Sequence, residues 1–181
     1  MKITPCSIPE VLVIEPRVFG DARGFFFESF NARTFKELTG IEPPIMQDNH
    51  SCSMKGVLRG LHYQIVQPQG KLIRVVAGEV FDVAVDIRRS SPTFGQWTAN
   101  NLSADNKKQM WIPAGFAHGF LVVSDSAEVL YKTTDYWAPE HERCIRWDDP
   151  TLGIRWPLDG APQVSAKDAK GVAFAGAEVF S

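Results

Sequence analysis

Residues 57–75 read VLRGLHYQIVQPQGKLIRV and set Arg59, His62, Lys71 and Arg74 in an otherwise apolar, strand-like stretch. Polar side chains on the inward face of a strand are unfavourable unless they are paired, wet or used. His62 is the titratable group whose ordinary pKa suits proton transfer near neutrality. In a regular strand it shares a face with Leu58, Gly60 and Gln64, which leaves Arg59 on the other face. A bulge at Gly60 would re-aim one of the two, and strand glycines often mark bulges. Two readings are therefore open. One is a satisfied structural histidine beside a solvated arginine, and the other is a base with a cation next to it.

The other candidates are equally two-sided one at a time. The stretch EVLYKTTDYW puts Val129, Tyr131, Thr133, Asp135 and Trp137 on one face if it is a regular strand. A buried tyrosine hydroxyl needs a partner and can act as an acid, though core packing is its commoner fate. Asp168 in SAKDAK is a titratable carboxylate or a helix-start residue facing the helix dipole. The stretch WIPAGFAHGF has the Pro-x-Gly-x-x-His spacing of the second half of the cupin signature, ending at His118. The first half, a His-x-His pair with a carboxylate, is replaced by a lone His62 between Leu61 and Tyr63. A metal needs three or four ligands. His62 and His118 fall short, so no metal is expected. One imidazole, one strand Tyr, one Lys and several Arg suit cofactor-free acid/base chemistry on an anionic substrate.

These residues need a scaffold, and the chain reads as β-rich. KLIRVVAGEVFDVAVDIR alternates with a period of two from Val80 to Ile87, and Gly78-Glu79 reads as the turn joining that strand to residues 71–77. FGQWTANNL, KQMWIP, HGFLVV and EVLYKTTDYW continue the series, with SADNKK and SDSA as turns. NARTFKELTG is the best helix, capped by Asn31 and stopped at Gly40, and a second helical piece is expected near Ser165. Many strands and little helix predict a double-sheet sandwich or jelly roll whose mouth is a natural ligand site.

Composition narrows the function. At 181 residues a single domain, 1–181, is expected, with one sizeable core. A net charge of −2 removes the main drive for nucleic-acid binding. No apolar run is long enough to span a bilayer, so no membrane partner is expected, and the opening MKITPCSIPEV has no signal-peptide core. Cys6, Cys52 and Cys144 are odd in number and lack CxxC spacing, which fits a reducing cytoplasm.

Taken in order, FGDARGFFFESF, QDNHS, VLRGLHYQ, QGKLIRV, GEVFDVAVDIR, SPTFGQW, WIPAGFAHGF, LYKTTDYW and VSAKD closely resemble the dTDP-4-dehydrorhamnose 3,5-epimerase family. The likeness runs from about Ile8 to Asp168, while the last dozen residues carry no signal. It implies a cupin-like jelly roll, a homodimer, and no metal or cofactor. The implied substrate is a dTDP-4-keto-6-deoxyhexose, namely dTDP-4-dehydro-6-deoxyglucose, inverted at the two carbons beside its ketone. A single-site epimerase on a related dTDP-4-keto sugar is the alternative. A metal-dependent cupin oxygenase and a non-catalytic sugar binder are weaker readings.

The resemblance also implies roles. His62 resembles the base, Asp168 its hydrogen-bond partner, Tyr131 the acid on the opposite face, and Lys71 the cation at the developing enolate oxygen. Arg59 and His118 resemble contacts to sugar and diphosphate. Arg23, Glu28, Gln47, Asp48, Asn49, Glu142 and Lys167 resemble nucleotide-sugar contacts, some reaching across the dimer. Trp137 stands where the family stacks the thymine ring.

Overall fold

The structure is a computed structural model that describes residues 1–42 and 44–181. Thirteen strands and one α-helix are present among the described residues. In chain order they are β1 (Lys2–Pro5), β2 (Leu12–Glu15), β3 (Phe19–Asp21), β4 (Gly24–Phe26), α1 (Ala32–Thr39) and β5 (Gln47–Met54). Then come β6 (Leu58–Gln64), β7 (Lys71–Ala77), β8 (Glu79–Asp86), β9 (Trp97–Ser103) and β10 (Gln109–Ile112). The last are β11 (Phe116–Val122), β12 (Ser126–Thr133) and β13 (Glu142–Cys144). Six strands form one sheet in the order β1-β2-β10-β7-β12-β5, and five form another in the order β13-β6-β11-β8-β9. β3 and β4 form a separate hairpin. This is the expected jelly-roll sandwich.

β7 and β8 are separated by Gly78 alone, yet they lie in different sheets. The expected turn at Gly78-Glu79 is therefore a corner between sheets, with Glu79 already in β8. Gly78 has φ +71, and a Cβ there would stand 1.9 Å from the carbonyl oxygen of Ser126, so only glycine fits. The corner aims residues of both strands into the same interior. Ile73 and Val75 of β7 pack there with Val80 and Ala84 of β8, Phe120 and Val122 of β11, and Ala127 and Val129 of β12. Each of these valine, isoleucine and phenylalanine side chains, fully buried, contributes about 1.5–3 kcal/mol.

The period of two in β8 does not separate a wet face from a dry one. Val80, Asp82 and Ala84 face the sandwich interior, but Val83, Val85 and Ile87 are also buried. Their cover is the C-terminal third. Ile145, Leu152 and Phe174, with Val179 and Phe180, pack on the outer face of the five-stranded sheet. Phe180 N–H donates to the Ile87 carbonyl at 3.1 Å, and Arg89 N–H donates to the Phe180 carbonyl at 2.8 Å. The last dozen residues, silent in sequence, seal one side of the fold.

α1 covers the other outer face. Asn31 caps it by accepting from Thr34 N–H at 3.1 Å, and Gly40 ends it at φ 72, as the sequence predicts. Phe35 seats its ring edge-on to Trp111 at 5.3 Å, beside Leu72 and Ile14. The helical piece expected near Ser165 is a single 3-10 turn, Asp168–Lys170.

Candidate active site

The sandwich interior is apolar at one end and polar at the other. The polar end opens as a cavity of about 640 Å³, lined from both sheets. β6 supplies Arg59 and His62 despite their odd spacing. The cause is an irregularity in the β6–β11 pairing: His118 faces His62, but Phe120 faces Arg59, so three steps on β6 match two on β11. Gly60, φ +117, lies in this bulge. A Cβ on it would meet Gly119 Cα and the His118 carbonyl oxygen at 2.6 Å, so the close approach of two backbones requires glycine. The bulge turns both functional side chains inward.

Asp168 reaches His62 from 106 residues away. Its 3-10 turn is fixed by Ser165, whose Oγ accepts from Asp168 N–H at 3.0 Å. The carboxylate is buried, at 3 % exposure, and Oδ1 accepts from His62 Nε2 at 2.5 Å. Because a carboxylate only accepts, it fixes the ring proton on Nε2 and leaves Nδ1 free to take a proton. Burial works to raise the pKa of Asp168, but the hydrogen bond and charge of His62, with the Gly60 N–H, outweigh it and hold the carboxyl below its ordinary value.

A second His–Asp pair lies deeper. His118 Nε2 stands 3.0 Å from each carboxylate oxygen of Asp82, which is fully buried. Burial pushes the pKa of His118 down, and the Asp82 charge works against that. Asp82 sits in the alternation of β8 and carries no sequence signal of its own beyond being a charge in an apolar run. Lys71 opens β7 and is buried, its Nζ 3.4 Å from the His62 carbonyl oxygen. Desolvation lowers its pKa to about 8, with the Glu142 and Asp82 carboxylates pulling the other way.

Tyr131 faces the cavity from β12, in the opposite sheet from His62. Its cross-strand partner is Asn49 of β5, which also lines the cavity. Burial raises the pKa of the phenol, Arg59 lowers it and Glu142 adds to the rise, so the hydroxyl stays protonated at neutral pH. Trp137 reaches the cavity as well, but from the loop after β12 rather than from the strand, which ends at Thr133. Its N–H donates to Gln47 Oε1 at 3.0 Å and its indole Nε1 donates to Glu142 Oε2 at 3.1 Å. Lys167 Nζ pairs with Glu142 at 2.5 Å. Burial would raise the pKa of Glu142, but Lys167 and Trp137 together hold it low. Gln47, Glu142, Trp137 and Lys167 thus form one connected rim.

Three residues named from sequence lie elsewhere. Asp48 points away from its neighbours Gln47 and Asn49 and pairs with Lys132 at 2.8 Å. Arg23 sits at the tip of the β3–β4 hairpin, almost fully exposed and paired only with Asp21 at 2.5 Å. Glu28 accepts from Asn31 Nδ2 at 3.1 Å, beside the start of α1. Conversely, Ser51, Gln69 and Gln163 line the cavity unannounced. Ser51 had a legible signal, since it continues the Gln47, Asn49 alternation of β5. Gln163 arrives through an isolated bridge to Val57, which no local pattern marks.

A family model described as dTDP-4-dehydrorhamnose 3,5-epimerase matches residues 5–176. The chain belongs to this epimerase family. A relative from Pseudomonas aeruginosa, a dTDP-4-dehydrorhamnose 3,5-epimerase, is 67% identical over 180 residues and covers 99% of both chains. The crystal structure of a Legionella pneumophila 3,5-epimerase in complex with dTDP-4-keto-L-rhamnose superposes with a TM-score of 0.96 at 55% identity, covering 98% of this chain and 94% of that one. A 3'-monoepimerase from Streptomyces bikiniensis in complex with dTDP-quinovose has a TM-score of 0.89 at 35% identity, covering 94% and 87%. The epimerase fold therefore accommodates single as well as double inversion. Identity is much higher on the double-inversion side.

Among the described residues no helix is long and apolar enough to cross a membrane.

Proposed function

We propose that this chain, acting as one domain over 1–181, inverts carbons 3 and 5 of dTDP-4-dehydro-6-deoxy-D-glucose to give dTDP-4-dehydro-L-rhamnose. The observation that carries the mechanism is the placement of His62 and Tyr131 on opposite sheets, facing one cavity. The ketone acidifies the C–H bond on either side of it. His62 removes that proton through Nδ1 while Asp168 stabilises the imidazolium formed. The electron pair moves onto the ketone oxygen, and Lys71 meets the negative charge as it develops. Tyr131 returns a proton from the other face, which inverts the carbon. Repetition at the second carbon completes the reaction, and protons and electrons balance without an external reductant or oxidant.

Arg59 and His118 contact the sugar and diphosphate in this reading, and Trp137 offers its exposed ring to the thymine. Gln47, Asn49, Glu142 and Lys167 bind the nucleotide sugar. The chain works as a homodimer in which Arg23 and Glu28 serve the partner's site. Support comes from their position outside the cavity of their own subunit and from the hairpin carrying Arg23, which exposes Phe19, Phe25 and Phe26.

Tyr131→Phe tests the two-face mechanism, since it deletes the hydroxyl and keeps the ring. The variant is expected to wash solvent deuterium into the substrate through His62 while net inversion falls strongly, so the ratio of exchange to inversion rises. If exchange and inversion are both unchanged, Tyr131 is a packing residue.

A further inference from the structure

The His62–Asp168 pair has a third neighbour that epimerisation does not use. Cys144 is the register partner of His62 across β13 and β6. Its Sγ lies 4.0 Å from Asp168 Oδ1. One ligating atom from each of His62, Cys144 and Asp168 can be chosen so that all three lie within 4.8 Å of one another. His62 and Asp168 also line the open cavity, which gives an ion both an approach and room for a fourth, water ligand. We propose that His62, Cys144 and Asp168 form an inhibitory binding site for a borderline-soft divalent cation of the zinc type.

Nitrogen, sulfur and carboxylate oxygen with one position left open is a donor set that zinc accepts, whereas magnesium and calcium prefer all-oxygen shells. A thiolate and a carboxylate also neutralise the double charge. In the resting protein a proton occupies the 2.5 Å gap between His62 Nε2 and Asp168 Oδ1. Tetrahedral zinc with bonds near 2.0–2.1 Å holds such donors about 3.3 Å apart, so the two side chains must part by somewhat under 1 Å. Burial keeps the Cys144 thiol protonated, with its pKa pushed up to about 12, and the ion itself displaces that proton to solvent. The Nε2 proton of His62 shifts to Nδ1 as the metal takes the Nε2 lone pair. No ring lone pair is then left to accept a proton from substrate, and the base is switched off. The site itself stands on this geometry. Only the inhibition rests on His62 being the base.

The test uses the chelator-washed full chain and zinc chloride alone. Calorimetry is expected to show one zinc ion per chain. Cobalt(II) in its place is expected to give a thiolate charge-transfer band in the near ultraviolet. Cys144→Ser and Cys144→Ala should weaken zinc binding by about tenfold or more, since loss of an outer-sphere partner alone typically costs about 10–100-fold. Both variants should keep zinc-free epimerisation near the wild-type rate and lose the cobalt band. In the wild type, zinc should stop solvent exchange and a chelator should restore it. The proposal is overturned if zinc binds the serine and alanine variants as tightly as wild type, or if wild type shows neither stoichiometric zinc nor the cobalt band. Calorimetry and the cobalt spectrum need no activity. A protein that bound zinc in this way but did not epimerise would refute the functional reading and leave the site standing.

Discussion

Asp168→Asn isolates what the buried carboxylate does for His62. The amide has nearly the same shape, so the 3-10 turn and its Ser165 contact are retained. Two things change. The charge-assisted bond at 2.5 Å, of a kind worth about 1.5–3 kcal/mol, becomes a neutral one worth about 0.5–1.5 kcal/mol. At about 1.36 kcal/mol per factor of ten, the difference of about 1–1.5 kcal/mol alone slows formation of the imidazolium by about 5–13-fold. The amide can also turn its NH2 toward Nε2, which forces the ring proton onto Nδ1 and removes the base. In a triad enzyme the same carboxylate-to-amide change costs about 10⁴. The expected fall in kcat is therefore between about 10² and 10⁴, with KM little moved because the carboxylate engages the imidazole rather than the nucleotide. Single-turnover deuterium incorporation from D2O, followed by proton NMR, measures the step directly. A loss under tenfold, or a loss confined to KM, would refute the assignment of Asp168 as the group that holds the tautomer. Acid unfolding gives a second readout. The folded carboxyl titrates below its ordinary 3.8, so its contribution to stability is complete above that value and is lost as pH falls through the lower folded pKa. Asp168→Asn should remove that part of the acid sensitivity.

Three further outcomes are expected. His62→Ala should abolish exchange at both carbons while dTDP binding, read by calorimetry, stays near wild type; the loss of a positioned base is typically about 10²–10⁴-fold, and exchange near the wild-type rate would place the base elsewhere. Lys71 is active as a cation with a pKa of about 8 in the free protein, so kcat/KM should decline as pH rises through about 8, and Lys71→Met should lose both most of the rate and that alkaline limb. A limb that persists in the variant belongs to another group. Arg23→Ala and His62→Ala, each inactive as a homodimer, should regain about one quarter of wild-type activity when equal amounts are mixed, because half of the dimers then carry one intact site of two. No recovery on mixing, or a fully active monomer by light scattering, counts against a shared site.

Much of this architecture was legible in the sequence because its signals are local. Asn31 and Gly40 cap a helix through contacts within four residues, and Gly60 announces a bulge because a strand glycine has few other uses. That bulge is what reconciles the odd Arg59–His62 spacing with a common cavity. Non-local features stayed hidden. The assignment of β7 and β8 to different sheets depends on Gly78 fitting under the Ser126 carbonyl, 48 residues onward. The period of two in β8 marks Val83, Val85 and Ile87 as one apolar face, but Phe174 and Phe180 are what cover it, and nothing near them says so; the face carrying Asp82 is buried too, in the sandwich interior. The Asp82–His118 pair joins strands whose partnership is a property of the fold. Arg23 and Glu28 match family motifs yet lie outside the cavity, Arg23 at the tip of an exposed hairpin and Glu28 beside the start of α1.

The most direct test of double inversion by one base and one acid is NMR of dTDP-4-dehydro-6-deoxyglucose incubated with the purified protein in D2O. The product is expected to be the L-configured 4-keto sugar carrying one solvent deuteron at carbon 3 and one at carbon 5. Deuterium and inversion at a single carbon would make the chain a mono-epimerase, and a substrate recovered with neither would contradict the account altogether.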